Sequence, residues 1–454
     1  MTSVLPVGNQ HVRVPQEANL RLAVPWWVNP LWAIILLPGT MAVVAVAIPE
    51  ESYAEWVTRK FLDSELSVAL LVLFLSLTIG VLFAAGVSTR TRTIDITVTQ
   101  RQVYFLDRAY KILVVLSAIG YGVWVGSAIA QGVGFSTVLA VLERSQGAIG
   151  ELKSNARPIG GITTLTQFAP VAVALNILLW RLGVRHLPSL ALLFAAALLR
   201  VFFYAERLAL IELIVPAAVI GALILSANSR WRGRLAIGPA LAVPVIWAVF
   251  AVSEYFRSWV YYQKQTDMPF VEWVTLRLIG YYVTAYNNSA LVADAYKSDS
   301  PLPWYSLQWF WNFPGIDAAL THPGISGLPA DEWWTATLTS NANINFTNTG
   351  SFLTTYAEFG LPISVVIWLG AGIAFGMLFN ALSRGSLPAL LLYATLFVGL
   401  LELPRIMYWT LGRSTPIFIA CAVLAYQWAK LIRDEKRQAP AVALTSWIGK
   451  RSAL

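Results

Sequence analysis

The feature that most constrains this chain is a series of ten long apolar stretches separated by polar connections. A helix needs about 17 to 25 apolar residues to cross roughly 30 Å of hydrocarbon, and the stretches lie close to that length. They therefore predict an all-α polytopic membrane protein with about ten transmembrane helices. The stretches lie at residues 30–49, 66–87, 109–130, 162–180, 187–203, 208–226, 235–252, 355–380, 387–402 and 414–430.

Composition agrees with this interpretation. Of the 454 residues, 57% are hydrophobic and 12% charged, and the mean hydropathy is +0.63; about a quarter of the residues are charged in soluble domains. The net charge of +8 comes from basic residues in short loops, a pattern that sets membrane topology, so we expect no nucleic-acid partner. The single cysteine, Cys421, excludes a disulfide framework and a Cys-based metal site.

Basic residues in the loops predict the orientation, because positive charge stays on the cytoplasmic side. They lie in alternate loops, at Arg90, Arg92, Arg101, Arg108, Arg181, Arg185, Arg230, Arg232, Arg234 and Arg384. Both termini are then cytoplasmic, and the first apolar stretch is expected to be retained, since residues 1–28 lack a signal-peptide cleavage site. The predicted order is a tail at 1–29, seven helices at 30–252, a large outward-facing loop at 253–354, three helices at 355–430 and a tail at 431–454.

One apolar region carries four charges close together. The segment RVFFYAERLALIEL, residues 200–213, contains Arg200, Glu206, Arg207 and Glu212, and the topology places it at a tight outward-facing turn. An ionisable group inside the membrane costs on the order of 2 kcal/mol or more unless it faces a bundle interior or a water-filled cavity. Two interpretations remain open: ion pairs that lock two helices together, or an outward-facing polar site.

Further charges on the same predicted side favour the polar site. They flank membrane stretches or lie in loops, at Arg157, Arg257, Arg277, Glu402, Arg405 and Arg413. Several cations on one face suit an anion, and the planar donor fork of arginine suits phosphate oxygens in particular. A diphosphate held at the membrane surface is the natural candidate.

The long outward loop is the least membrane-like segment. Residues 277–296, RLIGYYVTAYNNSALVADAY, have helical spacing of apolar groups but are too polar to span, which predicts an amphipathic helix on the outer surface. Tryptophans in this loop serve either as interfacial anchors or as a groove whose ring faces bind sugars. They are Trp304, Trp309, Trp311, Trp333 and Trp334. His322 is the one histidine on this side, so no metal site is expected.

The sequence lacks the motifs that are typical of nucleotide- and metal-dependent enzymes. The chain has no Walker loop, no GxGxxG before a strand, no HExxH, no GxSxG and no DxD pair. Internal repeats, which point to secondary transporters, are not visible either. We expect no cofactor.

Four segments in order resemble the Wzy-type oligosaccharide repeat-unit polymerases of the O-antigen polymerase family. They are RPIGGITTLTQF, AERLALIE, YYVTAYNNSA and NFTNTGSFLTTYAEFGLP. The resemblance covers most of the chain beyond about residue 100 and rests on layout and short motifs. It implies a multi-pass enzyme of the bacterial cytoplasmic membrane that joins glycans carried on undecaprenyl diphosphate without metal or nucleotide. O-antigen ligases and related peptidoglycan polymerases share this plan.

The resemblance ties activity to outer-loop arginines, which here correspond to Arg157, Arg207, Arg277 and Arg405. Cations in a low-dielectric pocket stabilise a departing diphosphate, and a carboxylate can take the proton of the acceptor hydroxyl. The candidate bases, in order, are Glu206, Glu212, Glu402 and Glu358. The expected catalytic residues are Glu206, Arg207, Glu402 and Arg405. The expected substrate-binding residues are Arg157, Arg200, Arg277, Tyr281, Asn287, Asn345 and Tyr356.

The predicted function is a membrane glycosyltransferase that polymerises undecaprenyl-diphosphate-linked repeat units on the outer face of the membrane. Its expected partners are the lipid-linked donor and acceptor, the bilayer, a chain-length regulator and a flippase. An O-antigen ligase-like transferase and a lipid-linked glycan flippase or transporter remain alternatives. A flippase would place its charges near mid-bilayer, whereas here they cluster on one side.

Overall fold

A computed structural model describes residues 17–86, 93–143, 145, 147–156, 159, 161–204, 206–296, 303–313, 315–320 and 323–451. Most of these residues are helical. The elements of the first half are β1 Glu17–Ala23, α1 Pro30–Ile34, α2 Thr40–Ala47, α3 Ser64–Ala85, β2 Thr93–Thr99, α4 Gln100–Ala130, α5 Phe135–Leu142, α6 Ala148–Asn155, α7 Ala169–Arg181, α8 Leu187–Tyr204 and α9 Leu208–Ser226.

The second half continues the helical plan and adds one short hairpin. Its elements are α10 Ser229–Ala236, α11 Gly238–Glu254, α12 Val260–Tyr262, α13 Phe270–Ala295, α14 Gln308–Trp311, α15 Ile316–Ala319, β3 Gly324–Ile325, β4 Leu328–Pro329, α16 Ala330–Asn341, α17 Ser351–Ser383, α18 Leu387–Glu402 and α19 Thr415–Arg451. Helix α17 is interrupted at Gly360, whose φ of 70° lies in the left-handed region that glycine adopts without a steric penalty.

The chain is a helical membrane protein. Within the described ranges, eight helical segments are long and apolar enough to cross a bilayer, and two shorter apolar helices, Leu187–Phe202 and Leu387–Glu402, accompany them. Each of the ten apolar stretches of the sequence overlaps one of these helices, while a total of ten membrane crossings stays a prediction. The eight segments are Pro30–Ala47, Ser64–Ala85, Gln100–Ala130, Ile162–Arg181, Leu208–Ser226, Gly238–Tyr262, Ser351–Ser383 and Gly412–Gln438.

Two small antiparallel sheets accompany the helices of this mostly helical chain. Strand β1 pairs with β2 over seven residues, from Glu17 opposite Thr99 to Ala23 opposite Thr93. The sequence TIDITVT of β2 is rich in β-branched residues, which favour strands. Leu20 and Leu22 of β1 are fully buried, so the sheet closes one end of the helical bundle. Strands β3 and β4 form a short hairpin within the long loop.

Helices α3 and α17 form the tightest helix pair. Glycines allow the two backbones to touch: a Cβ atom at Gly80 would overlap the carbonyl of Leu369, and one at Gly372 would overlap the carbonyl of Leu77. Small residues at such crossings allow close approach in membrane bundles, where dispersion contacts replace the hydrophobic effect between helices.

The helix predicted at residues 277–296 exists as α13, but it does not lie on the surface as expected. Fourteen of its residues are buried, and Tyr286 and Asn287 are fully enclosed. The helix packs against α2, α11 and α17. Its polar groups are tolerated because they bond to backbone: Asn287 Nδ2 donates to the carbonyl of Arg59 at 2.7 Å, and Asn287 Oδ1 accepts from the Phe61 amide at 2.6 Å.

Segments that the sequence assigns to one side of the membrane also contact one another. Trp26 and Trp27 donate from Nε1 to the carbonyls of Ala236 and Leu235, both at 2.9 Å. Thr99 and Gln102 at the start of α4 donate to Glu435 in the middle of α19, at 2.8 and 2.7 Å. These contacts join the turn after β1, the polar connections and α19 at one end of the bundle. The predicted site residues Arg207 and Arg405 lie at the opposite ends of α9 and α18, and so at the other end of the bundle.

Candidate functional site

Glu254 is the centre of the charged site. It ends α11, it is fully buried, and each of its oxygens meets an arginine from another element. Arg207, in the turn between α8 and α9, donates from Nη2 to Oε1, and Arg277 of α13 donates from Nε to Oε2 at 2.7 Å. A buried carboxylate is costly without partners, so these two arginines are what make the position tolerable.

The ring of Tyr281 lies among three guanidinium groups. The guanidinium carbon is 5.2 Å from the ring centroid for Arg207, 5.7 Å for Arg405 and 5.9 Å for Arg277. Phe250 lies 4.3 Å from the Arg207 guanidinium, which therefore contacts two aromatic rings. Aromatic faces attract cations electrostatically, and arginine stacks on them well. The rings thus hold several like charges near one another without neutralising them.

Arg405 completes this group from the turn after α18. Its Nη1 donates to Glu402 Oε2 at 2.8 Å. Its Nε is buried and has no hydrogen-bond partner among the described residues. Burial acts to lower the pKa of Arg405, but Glu402 and nearby tyrosines raise it, and the net direction is upward. Arg405 is therefore a permanent cation, and its Nε–H makes no hydrogen bond to the described residues.

A fourth arginine belongs to the same surroundings. Arg257 follows α11 and interacts electrostatically with Arg207 and Glu254. We call this set the Tyr281 cluster: Arg207, Arg257, Arg277, Arg405, Glu254 and Glu402, grouped around Tyr281. Four arginines and two glutamates leave it with a formal charge of +2.

A second set, the Glu206 cluster, consists of Arg200, Glu206, Glu212 and Arg413. Arg200 donates from Nε to Glu206 at 2.8 Å, and Arg413 donates to the other oxygen of Glu206. Arg413 also donates from Nη2 to Glu212 at 2.9 Å. Two arginines and two glutamates leave this cluster formally neutral. It joins the end of α8, the start of α9 and the start of α19.

Two hydroxyl groups also contact the Glu206 cluster. Tyr408 donates its hydroxyl to Glu212 at 2.8 Å, and Arg200 donates to Thr166 Oγ1 at 2.9 Å. Burial acts to raise the pKa of Glu206, but Arg413 and Arg200 together lower it by more, so the net direction is downward. This carboxylate therefore stays ionised. A carboxylate with both oxygens bound by arginine is a poor proton acceptor. The geometry thus supports the ion-pair interpretation for these residues.

The remaining predicted site residues lie in different surroundings. Asn345 borders the Tyr281 cluster, because it donates to the Tyr262 hydroxyl at 2.9 Å and its neighbour Phe346 lies 5.2 Å from the Arg277 guanidinium. Asn287 is occupied by backbone bonds, and its role in substrate binding stays a prediction. Tyr356 lines a separate open groove of about 580 Å³ beside Glu65. Arg157 lies outside the described residues.

The tryptophans of the long loop mostly form its own core. Trp333 and Trp334 are buried, and the Trp334 ring stacks on Tyr305 with centroids 4.7 Å apart. Glu358, a candidate base, accepts from the amides of Tyr305 at 2.5 Å and Ser306 at 2.9 Å. It therefore fastens this loop to α17. Trp309 is 41% exposed. Few of the loop tryptophan rings are therefore accessible to a sugar.

The sequence did not identify Glu254 as a site residue, and it assigned Arg413 no catalytic or substrate-binding role. Glu254 lies two residues beyond the predicted end of the seventh stretch, where it looked like the polar end of a helix. Helix α11 and the turns after it continue to Tyr262, which places Glu254 inside the helical span. The sequence signal for Glu254 was a charge at the boundary of an apolar stretch, three residues before Arg257.

Comparison with protein-family models, curated proteins and solved structures gives no match to the chain. Among the described residues, no group of three or more His, Cys, Asp or Glu side chains could hold a metal ion. The chemistry of the site must therefore be argued from its own geometry and charge.

Proposed function

We propose that this protein is a membrane glycosyltransferase that polymerises oligosaccharide repeat units carried on undecaprenyl diphosphate. The observation that carries the proposal is the excess positive charge of the Tyr281 cluster. Buried arginines usually approach charge balance, as they do in the Glu206 cluster. An unbalanced charge of +2 suits a multiply charged anion.

The surplus charge suits a diphosphate better than a carboxylate or a halide, because a diphosphate is multiply charged. Guanidinium groups present parallel donors that match pairs of phosphate oxygens. Arg207 and Arg405 are 15% and 21% exposed, whereas Arg277 is 6% exposed. Arg207 and Arg405 are therefore the more accessible of the three, and Arg277 supports Arg207 through Glu254.

The proposed reaction needs charge stabilisation at the leaving group. When an acceptor hydroxyl attacks the anomeric carbon of the donor sugar, the bond to the diphosphate breaks and negative charge develops on the lipid diphosphate. Fixed cations in a partly buried site stabilise that charge without reorganisation. Arg207 and Arg405 take this role.

The acceptor hydroxyl must lose a proton, and Glu402 is the carboxylate that we assign to receive it. Glu402 has one arginine contact, whereas Glu206 and Glu254 each bind two arginines. Glu402 also lies close to Tyr282, whose pKa burial raises to about 12. That neutral phenol can donate a hydrogen bond near the base. This assignment replaces Glu206, the first candidate from sequence.

Loop charge supports the orientation in which this end of the bundle faces outward from the bacterial cytoplasmic membrane, with both termini in the cytoplasm. Lipid-linked repeat units would then arrive on the outer leaflet after a flippase has moved them, and a chain-length regulator would act on the same side. These partners follow from the proposed substrate.

The proposal is tested with purified protein in detergent, supplied with lipid-linked repeat units and EDTA and without nucleotide. We expect glycans of several repeat units, still attached to the lipid, to form. Transfer of a single repeat unit to a non-lipid acceptor would support the ligase-like alternative instead. If a non-lipid glycan acceptor is also supplied and neither kind of product forms from stable protein, both functions are contradicted.

A further inference from the structure

Helix α11 is less covered by protein than the other membrane spans. In the most apolar window of Gly238–Tyr262, 17% of the residues are buried, compared with 44% in Ser64–Ala85. Its middle is exposed on several sides, at Leu241 (55%), Val243 (67%), Val245 (60%), Ile246 (47%) and Val249 (42%). Successive positions point about 100° apart on a helix, so no single face accounts for this exposure.

Both ends of α11 are nevertheless held. At one end, Gly238 lies against Trp27, and α10 receives the tryptophan hydrogen bonds described above. At the other end, Phe250 packs with Trp273 of α13, and Trp247 donates from Nε1 to Thr275 Oγ1 at 3.0 Å. In the described part of the chain, α9 and α11 do not pack along one another, although they are consecutive membrane helices.

We propose that the space between α9 and α11 is a lateral opening that holds the polyprenyl chain of a lipid diphosphate, with the headgroup at the Tyr281 cluster. The identity of the lipid rests on the proposed function. Glu254 ends α11 and Arg207 precedes α9, so the cationic excess lies where the two helices converge. An apolar opening about 12 Å long, from the rise of α11 between Leu241 and Val249, then leads toward the arginines of the Tyr281 cluster.

The charge pattern favours this occupant over others. A lipid with a long apolar chain and a diphosphate complements both the exposed aliphatic side chains and the charge of +2. A second copy of this chain would need a complementary anionic group to match the same end. Pro244 lies in the middle of the exposed segment, where the missing amide hydrogen bond allows the helix to bend around a bound chain.

The test uses full-length protein in nanodiscs of phosphatidylethanolamine and phosphatidylglycerol with radiolabelled undecaprenyl diphosphate. A photo-crosslinking amino acid replaces Leu241, Val245 or Ile246, one at a time. Leu75 of α3, which is 52% exposed, is the matched control position. We expect radiolabel on protein modified at the α11 positions, loss of that label with excess unlabelled undecaprenyl diphosphate, and no loss with excess phosphatidylglycerol.

Equal labelling at Leu75 would show general contact with lipid and overturn the proposal. Protein-to-protein cross-links at α11 in place of lipid would assign this face to a second copy and overturn it as well. The experiment needs no turnover, so it is separate from the polymerase assay. Polymer formation without labelling at α11 would reject the opening alone, and specific labelling without polymer would reject the enzyme alone.

Discussion

Arg207 and Glu254 form an ion pair between residues 47 positions apart in the chain, and this pair joins the turn before α9 to the end of α11. Glu254 also binds Arg277, so a single carboxylate holds two arginines from different elements. One negative charge on Glu254 cannot balance the two positive charges of the arginines, so a net positive charge remains at the site. That surplus is the property on which the proposed function depends.

The first prediction concerns Arg207. Arg207→Ala should reduce polymerisation by about 10²- to 10³-fold, the usual cost of removing one fixed donor to developing charge. Lysine should rescue poorly because a point charge lacks the planar fork. Glu254 keeps Arg277, so the variant should remain folded in the membrane. Polymer length and membrane abundance are measured together, and a normal rate in stable protein would remove Arg207 from the site.

The second prediction separates two glutamates. Glu402→Gln should lower kcat per folded molecule by about 10²- to 10⁴-fold, the usual contribution of a general base. Glu206→Gln should chiefly lower thermal stability, since breaking a buried ion pair costs about 3 to 5 kcal/mol. Turnover per folded molecule and melting temperature are measured for both variants. The opposite pattern, with turnover lost at Glu206 alone, would restore Glu206 as the base.

The third prediction concerns acid stability. Arg413 and Arg200 hold the pKa of Glu206 below its ordinary value of 4.5, despite burial. The stabilisation from its ionised form is then complete above that ordinary value and is lost as pH falls through the folded pKa. Melting temperature in detergent should fall with acidification more steeply for the wild type than for Glu206→Gln. Parallel curves would mean that Glu206 contributes nothing to acid stability.

The fourth prediction is topological. Reporters fused at Arg232 and Arg384 should be cytoplasmic, and reporters inserted in residues 301–329 should be external. Cytoplasmic reporters from the 301–329 insertions would place the Tyr281 cluster on the inner face, which would exclude a substrate presented outside.

The membrane helices could be predicted from sequence because apolar length alone determines them. The stretch at 208–226 coincides with α9, whereas α4 begins nine residues before its predicted start at 109. The first turns of α4 are polar and depend on a capping box of Thr99 and Gln102, which a hydropathy pattern does not detect. Strand β1 pairs with β2 some 70 residues later, so the β-branched pattern of β2 favours a strand but does not identify its partner.

The residue types of the site could be predicted from the sequence, but their ion-pair partners could not. Sequence placed Arg200, Glu206, Arg207 and Glu212 together, yet the fold divides them between two clusters of different charge. That division depends on Glu254 and Arg413, which arrive from α11 and α19. Partners that come from distant helices depend on packing, and no spacing rule within one segment reveals them.

The most direct test of the central claim is the affinity of purified protein in nanodiscs for undecaprenyl diphosphate. Wild type is compared with Arg207→Lys from the Tyr281 cluster and Arg200→Lys from the neutral Glu206 cluster. We expect Arg207→Lys to weaken binding by about tenfold or more, equivalent to about 1.4 kcal/mol, and Arg200→Lys to leave it unchanged. Equal loss in both variants, or no binding by the wild type, would contradict the claim that the surplus charge around Tyr281 holds a diphosphate.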